Sequence, residues 1–120
     1  MLLLQFGDRR MNSAVTYRFV GPGGFELEFR IDLSSFSEPE PTFAFRTDDE
    51  HTPTPAPGLQ VIGKTKIDHD EYYLLKVQSP PAQKQVSFQF PADGEYTVVI
   101  YLIKPNAKPK MIFEECFTCK

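Results

Sequence analysis

From residue 25 to residue 33 the chain reads Phe-Glu-Leu-Glu-Phe-Arg-Ile-Asp-Leu, apolar and polar in strict turn. Successive side chains of a strand point to opposite faces. Phe25, Leu27, Phe29, Ile31 and Leu33 therefore share one side, and Glu26, Glu28, Arg30 and Asp32 the other. A helix would scatter the same five apolar groups around its whole circumference. The pattern predicts a strand with one dry and one wet face. Gly21-Pro-Gly-Gly24 supplies a turn ahead of it, and the weaker alternation of Val15 to Val20 makes the pair a hairpin.

Further strands follow between turn signals. Thr42 to Arg46 sets Phe43 and Phe45 on one side, and Leu59 to Gly63 is a short run. Tyr72 to Val77 offers Tyr73, Leu75 and Val77 to a core. Val86, Phe88 and Phe90 alternate with Ser87 and Gln89 until Pro91 stops the run. The Asp93-Gly94 corner then opens Glu95 to Ile103, which is apolar on both faces. Tyr96, Val98, Ile100 and Leu102 form one set; Val99, Tyr101 and Ile103 form the other. Such a strand is expected in the middle of a sheet, covered above and below. Lys110 to the terminus reads as a last strand, and Ser34 to Glu38 as one turn of helix at most.

The sum is an all-β fold, an immunoglobulin-like antiparallel β-sandwich of seven or eight strands. Eleven Phe and five Tyr agree, because rings suit a pleated surface, and eleven Pro punctuate short strands. An antibody-type domain would carry a buried Trp, and this chain has none. The superfamily stays open on that ground, as does a small closed barrel. At 120 residues a single domain spanning 1–120 is expected, with residues 1–13 free to be flexible. Thr47 to Gly58, with prolines at 53, 55 and 57, reads as an extended loop crossing between sheets.

Charge narrows the partners. The net charge is -3 and the lysines are scattered, so neither nucleic acid nor an anionic membrane is an expected partner. Met-Leu-Leu-Leu-Gln-Phe is too short for a secretory signal, and no stretch approaches the roughly 20 apolar residues of a span. Two cysteines make no disulfide scaffold, so a reducing cytoplasm is the expected compartment.

Three constellations carry chemistry. Cys116 and Cys119 form a Cys-x-x-Cys, but no helix follows them and only His51 and His69 could join them as soft ligands. If a strand runs through both, their side chains face opposite ways with Cα atoms about 10 Å apart, beyond disulfide reach. Two separate thiols are the expectation, and a thiol-active protein is the alternative. The second constellation is Asp48, Asp49, Glu50 and His51 with Asp68, His69 and Asp70. These hold enough oxygen and imidazole for a Ca²⁺ or Zn²⁺ site if the two loops converge, although neither matches a metal-loop spacing. The third, a thiol with a histidine and a carboxylate, lacks any flanking nucleophile geometry. No enzyme activity and no cofactor are expected.

Pro91-Ala-Asp-Gly-Glu-Tyr-Thr-Val-Val-Ile-Tyr-Leu-Ile-Lys104 resembles the penultimate strand of an immunoglobulin-like module in the hillarin and kyphoscoliosis-peptidase family. Pro91, Gly94, Tyr96, the apolar run to Ile103 and the Phe113 to Cys119 segment carry the likeness, and Gly23 to Leu33 suits the module's early strands. The likeness covers the last third of the chain and one earlier strand. It departs in the closer spacing of the terminal cysteines and in lacking the transglutaminase-like Cys/His/Asp core. No catalytic residue carries over. The resemblance implies an accessory module of a cytoskeletal or muscle-associated protein, positioning a partner or an enzyme domain. The function expected is thus a non-catalytic protein-interaction or structural module. Its partner would be a protein held by β-augmentation at the last strand, where Cys116, Phe117 and Cys119 lie.

Overall fold

The computed structural model describes residues 2–11, 14–38, 40–47, 51–78 and 84–119, with the backbone alone at 2–11 and 119. Ten strands form among these residues. They are β1 (Leu2–Met11), β2 (Val15–Val20), β3 (Glu26–Asp32), β4 (Thr42–Arg46) and β5 (Thr54–Pro55). After these come β6 (Leu59–Ile67), β7 (Asp70–Val77), β8 (Gln85–Pro91), β9 (Gly94–Ile103) and β10 (Lys110–Cys119). One sheet has six strands in the order β1-β10-β9-β4-β7-β6, and the other has four in the order β2-β3-β8-β5. All pairings are antiparallel.

This is the sandwich read from the sequence, with ten strands in place of seven or eight. The two additional strands carry no alternation. Leu2–Met11 pairs along β10, and Thr54 and Pro55 pair with Gln89 and Phe88 of β8. β3 pairs β8 and β4 pairs β9, while the connections β3 to β4 and β8 to β9 each cross between sheets. That interlock is the layering of an immunoglobulin-like domain. The Pro-rich tract does cross between sheets, from β4 to β5.

The space between the layers explains the phenylalanine content. Phe29 on β3 stacks on Phe88 and Phe90 of β8, with centroids at 5.4 and 5.7 Å. It also meets Phe45 and Phe113 of the opposite sheet edge-on, at 6.0 and 5.4 Å. Such offset and edge contacts contribute about 0.5–1.5 kcal/mol each beyond the area they bury. Tyr96, just after the Asp93-Gly94 corner, is buried against Phe90 at 5.5 Å. Gly94 makes that corner possible with φ +102°.

Three local readings change. Phe25 falls outside β3, in the helical region at the end of the Pro22–Gly24 turn, and is 55% exposed. The run of dry residues therefore begins at Leu27. The helical turn is Leu33–Ser35, fixed by Asp32, whose carboxylate accepts from the Ser34 hydroxyl at 2.6 Å and its N–H at 3.0 Å. β7 sends Leu75 and Val77 into the core, whereas Tyr73 is only half-buried and its hydroxyl accepts from Thr52 at 3.3 Å.

β9 is central, as its pattern predicts, with β10 on one side and β4 on the other. It is not covered on both faces. Val98, Ile100 and Leu102 enter the core between the layers, but Val99, Tyr101 and Ile103 belong to a separate cluster on the outside of the six-stranded sheet. A two-layer sandwich has only one interior.

Candidate functional site

β10 is not an edge. β1 pairs with it from Leu2↔Cys119 to Met11↔Phe113, and β9 pairs with its other side. Between Phe113 and Cys119, the part that holds Cys116 and Phe117, it has a neighbouring strand on each side, so strand addition there meets an occupied position. Phe117 is 1% exposed and lies in the core, edge-on to Tyr17 at 4.8 Å and to Phe19 at 6.1 Å. A partner cannot reach it without opening the sandwich. Cys116 is an exposed free thiol whose Sγ lies 3.4 Å from the Thr97 hydroxyl of β9. The strand runs through both cysteine positions; the Cys119 side chain lies outside the described residues.

Of the metal-ligand candidates, Asp48, Asp49 and Glu50 lie outside the described residues. His51 is exposed in the β4–β5 crossover. Asp68 and His69 form the two-residue tip of the β6–β7 hairpin, and Asp70 pairs with Arg46 at 3.5 Å. Among the described residues no three His, Cys, Asp or Glu side chains gather as a metal would require.

The two outer faces of the sandwich differ sharply. On the four-stranded sheet, register places Arg18 opposite Glu28, and Arg30 lies two residues along on the same face. The Nε atoms of Arg18 and Arg30 donate to the two oxygens of Glu28 at 2.6 and 2.9 Å. Glu28 is only 6% exposed under this double clamp. Burial pushes its carboxyl pKa upward, but hydrogen bonds from Arg30 and Arg18, and then their charges, outweigh burial and leave it below the usual glutamate value.

On the six-stranded sheet the outer face is apolar at its centre, with Arg46, Asp70 and Glu114 on the same face around it. Ala44 of β4, Tyr72 of β7 and Val99 of β9 are buried there, with Ile67, Leu74, Tyr101, Ile103 and Met111 half-buried around them. Register explains the gathering, because Ala44 stands between Leu74 and Tyr101 in one row across three strands. Tyr72 meets Tyr101 edge-on at 5.4 Å. Burial, followed by the neighbouring Tyr101, pushes the Tyr72 hydroxyl up to about 12. No strand among the described residues lies over this cluster, since the four-stranded sheet packs on the opposite side.

A groove of about 360 Å³ lies at one end of this face. Ile67, Leu74, Ile103, Pro105 and Pro109 supply its apolar lining, and Lys66 and Lys104 line it as well. Sequence reasoning saw the apolar outer residues of β9 but missed Tyr72 and Leu74, which join them only through pairing of β7 with β4. Compared with family models, curated proteins and solved structures, the chain finds no match.

Proposed function

We propose that this chain is a non-catalytic protein-interaction module that docks a polypeptide segment on the outer face of its six-stranded sheet. The observation that carries the reading is the second apolar cluster, centred on Ala44, Tyr72 and Val99, with no strand among the described residues over it. Tyrosine, methionine and aliphatic side chains of this kind populate the centres of protein interfaces, and covering them gains about 25 cal/mol per Å² of apolar area.

The size of the face favours a segment over a folded partner. Five strands at about 4.8 Å spacing and a run from Val99 to Ile103 give a footprint of roughly 19 by 14 Å. That is well below the roughly 800 Å² per partner of a standard stable interface. The likeness of Pro91–Lys104 and Phe113–Cys119 to modules beside transglutaminase-like domains supports an accessory role of this sort in a cytoskeletal protein.

The test is selection of a random peptide-display library on residues 1–120, followed by binding of the selected peptides to two variants. Loss of binding to Tyr101→Glu, with retention by Thr16→Glu on the other sheet, is the expected result. An absence of enriched peptides, or full binding by Tyr101→Glu, overturns the reading.

A further inference from the structure

Strand addition is blocked at Phe113–Cys119, but another edge of the sandwich is open to it. We propose that β2 accepts an extended segment of another polypeptide as an antiparallel addition to the four-stranded sheet, with apolar side chains at alternate positions turned inward. The edges of the two sheets differ in how they are guarded. β1 breaks register between Gln5 and Arg10, and β6 breaks it between Val61 and Gly63 and carries Lys64 and Lys66. β5 is two residues long and ends in Pro55. Bulges, lysines, proline and short length are devices that keep an edge from pairing. β2 has none of them. Its six residues pair with β3 in unbroken register from Val15↔Ile31 to Val20↔Glu26. Its one charge, on Arg18, stands on the outer face and is clamped to Glu28. Among the described residues no strand lies on its other side.

The ladder fixes which groups are on offer. The Asp32 N–H donates to the Ala14 carbonyl at 2.7 Å, so these two residues form a hydrogen-bonded pair, and every second pair along β2 is another. Val15, Tyr17 and Phe19 therefore turn their main-chain groups away from β3, and their side chains face inward. An antiparallel newcomer opposes them with its own inward residues. Those residues cover Tyr17 and Phe19, which pack against the core but are only half-buried. The layer below decides the occupant. Tyr17 meets Phe113 and Phe117 of β10 at 5.9 and 4.8 Å, and Phe88 of β8 meets Phe45 of β4 at 4.9 Å. The two sheets thus run in the same order, with β2 over β10 and β1 one strand further out. The six-stranded sheet extends past β2 as a ledge about 4.8 Å wide. A single strand beside β2 rests on that ledge. A second copy brought edge to edge would drive its own β10 into β1.

Fluorescence anisotropy on the 120-residue chain tests it with a labelled Thr-Val-Thr-Val-Thr-Val-Thr peptide carrying a lysine at each end. In the antiparallel arrangement the inward valines are the residues that donate to β2. N-methylation of the valines is expected to weaken binding at least about tenfold, and N-methylation of the threonines by less than about threefold. Phe19 supplies a matched pair on the protein. Its N–H points away from β3, so Phe19→Pro removes that donor without opening the β2–β3 ladder, while Phe19→Ala removes the ring alone. Phe19→Pro is expected to bind at least about tenfold more weakly than Phe19→Ala. Equal binding by the two methylated peptides, or the reverse order, overturns the proposal whether or not either variant folds. So does parity of Phe19→Pro and Phe19→Ala at matched melting temperature. A parent chain that binds no peptide, or that self-associates until Phe19→Pro makes it a monomer, also overturns it. Tyr101→Glu, on the outer face of the other sheet, is expected to leave this binding unchanged, which separates it from the docking face. Loss with Tyr101→Glu would assign the peptide to that face and overturn strand addition.

Discussion

The outer faces of the two sheets are built on the same pleat and end in opposite chemistry. The four-stranded sheet turns Arg18, Glu28 and Arg30 outward and closes them into a clamp, so its surface is complete in water. The six-stranded sheet turns Tyr72, Leu74, Val99, Tyr101 and Ile103 outward and packs them on one another. A polar face can satisfy itself with a single row of cross-strand pairs. An apolar face on a two-layer sandwich buries its centre but leaves its rim half in water, and that rim is where added burial still has something to gain.

The largest expected effect lies on the apolar side. Tyr72 is 4% exposed, and Tyr72→Ala is expected to cost about 2–3 kcal/mol in urea unfolding, less than a ring between the layers because one side can relax. A cost below about 0.5 kcal/mol would mean the cluster is not packed, and the contrast between the faces would collapse. The same residue gives an alkaline signature. Its folded pKa of about 12 stands above the ordinary tyrosine value of 10.0, so its contribution is complete below pH 10 and is lost as pH rises towards 12. Ultraviolet titration is expected to show a late-ionising phenol that Tyr72→Phe removes.

A smaller effect is expected on the polar side. Glu28→Ala leaves two arginines facing each other without a counter-charge. Because both guanidinium groups are largely in water, the expected cost is about 1–2 kcal/mol. The folded pKa of Glu28 lies below the ordinary glutamate value of 4.5, so its stabilisation is present above that pH and is lost as pH falls through the folded value. The gap between parent and Glu28→Ala in denaturant unfolding is therefore expected at pH 7 and to shrink below pH 4.5. A gap that holds steady to pH 3 would assign the cost to packing instead of charge.

The two faces were not equally legible in the sequence. β3 and β8 announced themselves because one side of each is wet, and strict alternation reports that directly. β9 announced that both its sides are apolar, but periodicity reports the polarity of a face and not whether a second layer lies on it. Tyr72 and Leu74 were hidden for another reason. They reach Tyr101 only through the register of β7 with β4 and of β4 with β9, pairings that no local stretch encodes. The same kind of long-range pairing misplaced Phe117. The end of the chain is not the edge of the sheet, because Leu2–Met11, with no alternation to mark it, takes the outer position. Glu28 looked as wet as Glu26 until the register opposite Arg18 closed over it.

The smallest expected effect compares the hairpins that support the two faces. The β2–β3 turn on the polar side uses Gly21, Gly23 and Gly24 for positive φ, at +82°, +72° and +71°. The β6–β7 turn on the apolar side asks the same of Asp68 and His69, at +50° and +74°. Two positive φ values in a two-residue loop match the twist of the strands and fix Ile67 opposite Asp70. A slip of one residue would turn Ile67 and Tyr72 away from the outer cluster. The turn is therefore held in a demanding conformation by the apolar packing beyond it. His69→Gly relieves the strain but adds freedom to the unfolded chain, so a net gain of only about 0.5 kcal/mol is expected, read as a small rise in melting temperature. A loss of stability would instead mean that the His69 side chain itself holds the tip. The hairpin would then owe its register to local contacts and not to the face it serves.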